Sequence, residues 1–228
     1  MIWLASFPRS GNTFFRNILF EVYGISSSHY HLGKNKKLDP DFALFPIVKT
    51  HLLPNQLPKE YQSVKSIYLI RDGRDASVSL AHHRKDIKKI NKKYLLHLFE
   101  VILGIGNSFS GGWSKHVNVW ANSASIIIKY EDLINDPISQ MERLRDIINL
   151  PEPQIKKLPT FKSQKKGLSK YGSGNTKNEF EKKNRANKFY RRGIVGSYKD
   201  EMPKFLQILF WLKHRKQMKI YQYYKKTK

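Results

Sequence analysis

The sequence predicts an α/β fold of three layers, in which a central parallel β-sheet is flanked by helices and carries a P-loop-like phosphate-binding loop. Three observations carry this reading. Short apolar, β-branched runs alternate with segments of helical apolar spacing. A polar loop containing a glycine joins the first strand to the first helix, and an arginine-rich junction follows a later strand.

Residues 2–6, 47–49, 66–70 and 125–129 read as buried strands, because each is a short apolar run rich in branched side chains. Residues 13–22, 75–84, 113–123, 138–149 and 204–224 place apolar side chains three and four apart and read as helices. Residues 84–93, dense in Lys and Arg, and 162–185, rich in Lys, Gly, Ser and Asn, depart from this pattern and are expected to be mobile surface segments. A chain of 228 residues suits one packed core, so residues 1–228 are read as a single domain.

The charge balance is unusual: 42 Lys and Arg against 18 Asp and Glu leave a net charge of +24. Such a field gathers anions, whether nucleic acid, an anionic membrane, an acidic polymer or a phosphorylated small molecule. The chain has no cysteine, which excludes disulfides, thiolate metal sites and a cysteine nucleophile. The opening apolar run is too short for a signal peptide, and no apolar run reaches the roughly 20 residues a spanning helix needs. The expected location is therefore cytoplasmic.

The loop Ser6-Phe7-Pro8-Arg9-Ser10-Gly11-Asn12-Thr13 lies at a strand-to-helix junction, where backbone N–H groups and the positive helix end attract anions. Gly11 permits the tight turn, Arg9 brings charge, and Ser10, Asn12 and Thr13 add donors. The spacing matches a nucleotide-triphosphate loop, yet Asn12 stands where the lysine for the terminal phosphates belongs. That departure points to a different phosphorylated ligand. A plain helix start capped by Ser10 or Asn12 fits the same residues.

A second junction, Arg71-Asp72-Gly73-Arg74-Asp75, precedes Ser79. A helix beginning near Asp75 sets Ser79 about one turn in, within reach of an anion held by Arg71. Simple pairing of Arg71 and Arg74 with Asp72 and Asp75 is the competing reading. Two anion sites on one sheet imply a ligand with two phosphate-like ends.

Together with Val48-Lys49-Thr50-His51-Leu52, Tyr68-Leu69-Ile70-Arg71-Asp72, Tyr130-Glu131-Asp132-Leu133 and Arg191-Arg192-Gly193-Ile194-Val195-Gly196, these pieces resemble the sulfotransferase family that uses 3′-phosphoadenosine 5′-phosphosulfate (PAPS). They occur in the family's order, from the start of the chain to about Lys199. The resemblance implies transfer of a sulfuryl group to a hydroxyl or amine, leaving adenosine 3′,5′-bisphosphate (PAP). It implies that Arg9 to Thr13 hold the 5′-phosphosulfate, while Arg71, Ser79, Arg191, Arg192 and Gly193 hold the 3′-phosphate. Phe14, Tyr130 and Phe161 would contact the adenine.

The family pattern puts the catalytic base at His51, and an imidazole suits removal of a hydroxyl proton near neutral pH. Lys49 and Arg9 are the candidates for charge support of the leaving group. Arg9 replaces a lysine common in cytosolic relatives, and its high pKa suits it to charge stabilisation rather than proton donation. Glu131 and Asp132 read as structural. No metal is called for, since no clustered carboxylates or paired histidines appear.

Gly196-Ser197-Tyr198-Lys199 departs from the Gly-Asp-Trp-Lys of cytosolic relatives, and the dimerisation signature expected beyond it is absent. The oligomeric state is therefore open, and the basic final helix suits a surface or membrane contact instead. The acceptor pocket is expected to be shaped by residues 26–45 and 84–112; the charge suits an acidic carbohydrate or glycolipid head group, and simple alcohols and phenols stay open. A small-molecule kinase and a basic nucleic-acid-binding protein are the alternatives. Asn12 counts against the kinase, and the His51 placement leaves no nucleic-acid partner to be expected.

Overall fold

The computed structural model describes residues 1–32, 41–105, 112–172 and 178–224. Strand β1 (Ile2–Ala5) leads into helix α1 (Asn12–Tyr23), and β2 (Ser27–Tyr30), β3 (Ile47–Thr50) and β4 (Ser66–Ile70) follow. Next come α2 (Gly73–His82), α3 (Tyr94–Leu103), α4 (Gly112–Ala121) and β5 (Ile126–Lys129). Further along lie α5 (Tyr130–Asn135), α6 (Pro137–Glu142), α7 (Phe161–Lys165), α8 (Glu179–Phe189), α9 (Tyr198–Glu201) and α10 (Lys204–Ile220).

The five strands are paired in parallel in the order β2-β3-β1-β4-β5. Successive side chains of β1 point to opposite faces. Trp3 and Ala5 join a core with Val48, Tyr68, Trp113 and Phe210, whereas Ile2 and Leu4 join Phe15, Ile18, Ile67 and Ile128 on the other side. The sheet is thus covered on both faces, as the apolar strands predicted. The chain leaves β1 toward β2 and β3, then crosses to place β4 on the far side. The loops after β1, β3 and β4 therefore meet at one rim where strand order reverses, the usual ligand crevice of open α/β sheets.

Four of the strands are the predicted ones, and β2 is an addition. Its sequence, Ser-Ser-His-Tyr, carries no apolar run, and it sits at one edge of the sheet, hydrogen-bonded to β3 alone. It falls within residues 26–45, the stretch expected to shape the acceptor pocket, of which residues 33–40 lie outside the described residues.

Three further expectations change. The 162–185 stretch is helical in part: Thr160 and Ser163 cap α7 reciprocally, and Asn178 caps α8 by accepting from Phe180 N and Glu181 N at 2.9 and 3.2 Å. Polar composition hides these helices because caps rather than an apolar stripe define them. Residues 173–177 lie outside the described residues. The basic run after α2 begins as a π turn over His83–Ile87 and is followed by α3. The helix expected over 138–149 ends as α6 at Glu142 and tightens into a 3₁₀ turn at Arg143–Asp146, still burying Met141 and Leu144.

Candidate active site

At the first junction, Arg9 and Gly11 adopt left-handed backbone at φ 70° and 106°. A side chain at Gly11 would meet Tyr130 Cδ2 at 2.3 Å, so glycine is what lets the Tyr130 ring close over the loop. Gly11 starts α1 with no side-chain cap hydrogen bond. The capping alternative for Ser10 and Asn12 therefore fails. Ser10 Oγ and both amide atoms of Asn12 are buried with no hydrogen-bond partner. Buried polar atoms cost free energy when unmatched, so a donor such as Asn12 Nδ2 at a helix N-terminus fits an anion.

At the second junction, Asp72 caps the helix by accepting from Arg74 N at 2.9 Å, and it holds the Arg74 guanidinium at 3.0 and 2.6 Å. Helix α2 consequently starts at Gly73, which puts Ser79 nearly two turns in rather than one. The pairing alternative holds for Arg74 and Asp72. Arg71 also pairs, at the longer distance of 3.8 Å from Asp75, and does more: its guanidinium donates to Arg9 O at 3.2 Å and lies 4.4 Å from the Tyr130 ring centre, while its buried Nε has no partner.

Asp75 is fully buried and lies 3.8 Å from Arg71. Its carboxylate also accepts from Gly196 N at 2.7 Å, Ser197 Oγ at 3.1 Å and Tyr198 N at 2.9 Å. The second junction thereby seats the late loop. In that loop Gly193 has φ 68°, and a side chain there would meet the Phe161 ring at 2.2 Å. Arg191 and Arg192 both reach Glu201, at 2.9 and 3.1 Å.

These segments enclose a cavity of about 940 Å³. Its wall includes Arg9, Gly11, Asn12, Thr13 and Phe14 from the first junction, Lys49 and His51 from the end of β3, and Arg71 and Ser79. Tyr130, Phe161, Arg191, Arg192 and Gly193 complete the set, so Ser10 alone of the expected residues is buried without lining it. Among the described residues no Asp or Glu lines this wall. The cationic field is visible in its neighbours. Burial beside Arg71 lowers the Arg9 pKa to about 10, so Arg9 is still a cation at neutral pH, and burial with Arg9, Lys88 and Lys49 lowers His83 to about 3.

Arg9 itself reaches across the cavity. Its Nε donates to Ser79 Oγ at 3.2 Å, its Nη2 donates to Phe189 O at 2.7 Å, and it stacks 4.0 Å from the Phe189 ring centre. The first and second junctions are thus joined by one side chain.

His51 Nδ1 lies 2.8 Å from Ser6 O. A carbonyl only accepts, so Nδ1 carries the proton and the lone pair is on Nε2. Burial, followed by the Lys49 charge, holds the His51 pKa well below 6.5, which keeps the ring neutral.

Helix α4 supports this rim from behind. Trp113 Nε1 donates to Arg71 O at 3.1 Å, His116 Nε2 to His51 O at 3.2 Å, and Trp120 Nε1 to Leu52 O at 2.8 Å. Tyr68 OH donates to His116 Nδ1 at 3.0 Å, which fixes that tautomer. Positions 113, 116 and 120 share one helix face. Local sequence offered this trio only as ring donors at helical spacing, and Asp75 as a partner for arginine but not as the seat of the late loop.

Glu131 is structural, as read: it accepts from Asp72 N and from Tyr223 OH, each at 3.0 Å. Among the described residues no cluster of His, Asp or Glu could hold a metal, and no helix is long and apolar enough to cross a membrane.

Comparison with known proteins agrees with this geometry. Residues 35–219 match the sulfotransferase domain. Mouse sulfotransferase 1E1 is 25% identical over 95% of this chain and 82% of its own length, and bovine sulfotransferase 1A1 is 27% identical over 94% and 82%. The crystal structure of mouse sulfotransferase SULT7A1 complexed with PAP superimposes with a TM-score of 0.72 at 21% identity, covering 95% of this chain and 83% of that one. With the family matched over most of its length and the fold shared, the chain belongs to the sulfotransferase domain family and is an enzyme of sulfuryl transfer.

Proposed function

We propose that the whole chain acts as one sulfotransferase domain that moves the sulfuryl group of PAPS to a hydroxyl-bearing acceptor, with His51 as general base. The observation that carries this reading is one cavity, lined among the described residues by no Asp or Glu, in which the unmatched donors Asn12 Nδ2 and Arg71 Nε sit at the two strand-end junctions. A ligand with anionic groups at both ends satisfies both. In this reading Arg9, Gly11, Asn12 and Thr13 cradle the 5′-phosphosulfate with Ser10 behind them, while Arg71 and Ser79 take the 3′-phosphate under the late-loop residues Arg191, Arg192 and Gly193. Phe14, Tyr130 and Phe161 flank the adenine.

PAPS supplies an activated sulfur whose leaving group is a phosphate. His51 Nε2 takes the acceptor's hydroxyl proton as that oxygen bonds to sulfur. The bridging S–O bond breaks, and its electron pair remains on the 5′-phosphate. Arg9 and Lys49 stabilise that charge, since transfer of this kind depends on positioning and electrostatics rather than on a covalent protein intermediate. The products are a sulfate ester and PAP, and the proton leaves His51 to water.

Lys49 and Lys88 on a cavity wall that, among the described residues, carries no Asp or Glu favour an acceptor bearing negative charge, such as an acidic carbohydrate or glycolipid head group. Titration with PAP by calorimetry tests the donor assignment: Arg71→Ala and Ser79→Ala should each weaken binding, and unchanged affinity in both would refute the 3′-phosphate placement. Incubation with labelled donor and an acceptor panel tests the rest.

A further inference from the structure

The outer surface of α10 is apolar at one end and basic at the other. Phe205, Ile208 and Leu212 are 63%, 61% and 61% exposed. Their spacing puts them on one face of the helix. The same face continues into the exposed Arg215, Lys216 and Lys219, and residues 204–220 contain no Asp or Glu. The opposite face buries Leu206, Phe210 and Met218, so the outer row is surplus to the core.

Helix α3, which packs against α10, also exposes Leu95, Leu96 and Phe99. The segment before it contains Lys85, Lys88, Lys89, Lys92 and Lys93. Exposed apolar rows of this size mark interfaces, and here charge selects the occupant. In a symmetric dimer the same basic face would meet itself, in a chain already at +24. Nucleic acid would satisfy the cations but leave the apolar row unburied. A membrane with anionic head groups over hydrocarbon satisfies both.

We propose that the outer face of α10 docks on an anionic membrane surface. Phe205, Ile208 and Leu212 enter the boundary between head groups and acyl chains, while Arg215, Lys216 and Lys219 contact the head groups.

The test is co-sedimentation of the full chain with vesicles of phosphatidylcholine plus phosphatidylserine and with phosphatidylcholine alone. The wild-type chain should sediment with the mixed vesicles and far less with the neutral ones. Ile208→Ser with Leu212→Ser should weaken that binding at least about tenfold. Each of Arg215→Ser, Lys216→Ser and Lys219→Ser should weaken it about fivefold. PAP binding should be unchanged in all of them.

Equal sedimentation of the Ile208/Leu212 variant, or equal binding of the wild type to neutral vesicles, would overturn the proposal. So would light scattering that shows a dimer dissolved by that variant, which would assign the face to a second copy. Because the chain has no cysteine, Ile208→Cys accepts a single polarity-sensitive fluorophore. A blue shift on mixed vesicles is expected, and its absence overturns the proposal even if the serine variant fails to fold.

Discussion

The imidazole Nδ1 of His51 donates to the carbonyl of Ser6 at 2.8 Å, which ties the ring at the end of β3 to the residue that ends β1. This bond sets the tautomer and leaves Nε2 as the basic atom. His51→Ala should lower kcat by roughly 10²–10⁴-fold while PAP affinity stays within a small factor of wild type. Single-turnover assays beside calorimetry separate the two effects.

The same geometry fixes a pH dependence. Burial and Lys49 hold the His51 pKa well below 6.5, and protonation removes the lone pair, so activity is lost only as pH falls through that depressed value. The acid limb of kcat/KM should therefore lie below pH 6.5. Lys49→Met removes a neighbouring cation and should shift that limb upward, whatever it does to the maximal rate. An unmoved limb would show that Lys49 does not set the His51 charge.

Gly11 supports the closure of Tyr130 over the first loop. Gly11→Ala introduces a side chain at φ 106° and within 2.3 Å of the Tyr130 ring. Left-handed strain alone is about 1–3 kcal/mol. PAP affinity should fall by about tenfold or more, read by calorimetry.

His116 holds the His51 carbonyl, and substitution separates positioning from simple packing. His116→Leu removes the donor and should lower kcat with little change in PAP affinity. His116→Gln keeps an N–H at the far end of the side chain and should restore most of the rate. If both variants lose activity alike, shape rather than the hydrogen bond is what matters.

Asp75 accepts three hydrogen bonds from the late loop while fully buried. Asp75→Ala leaves those donors unmatched and should destabilise the chain by about 3 kcal/mol, seen in the denaturation midpoint. PAP affinity should fall as well, because Arg191, Arg192 and Gly193 lose the anchor of their loop.

Local sequence determined more of this protein than its low apolar contrast suggests. The strands β1, β3, β4 and β5 were legible because each is a short run dominated by apolar, mostly branched side chains, largely buried in the three inner strands and half-buried in edge strand β5. The two anion junctions were legible because tight turns, helix starts and charge each demand particular residue types within a few positions. Edge strand β2 and the capped helices α7 and α8 were not, since their stability comes from main-chain pairing and caps that leave little apolar pattern.

Tertiary structure alone decided the rest. Asn17, for example, links Gln164, Tyr171 and Tyr190 to α1 with bonds of 3.0 to 3.2 Å across more than 140 residues of chain. The reach of Arg9 to Ser79, the seat of the late loop on Asp75 and the ring donors of α4 are of the same kind. Each joins segments distant in sequence, and no local spacing encodes a distance that only the packed sheet and its helices create.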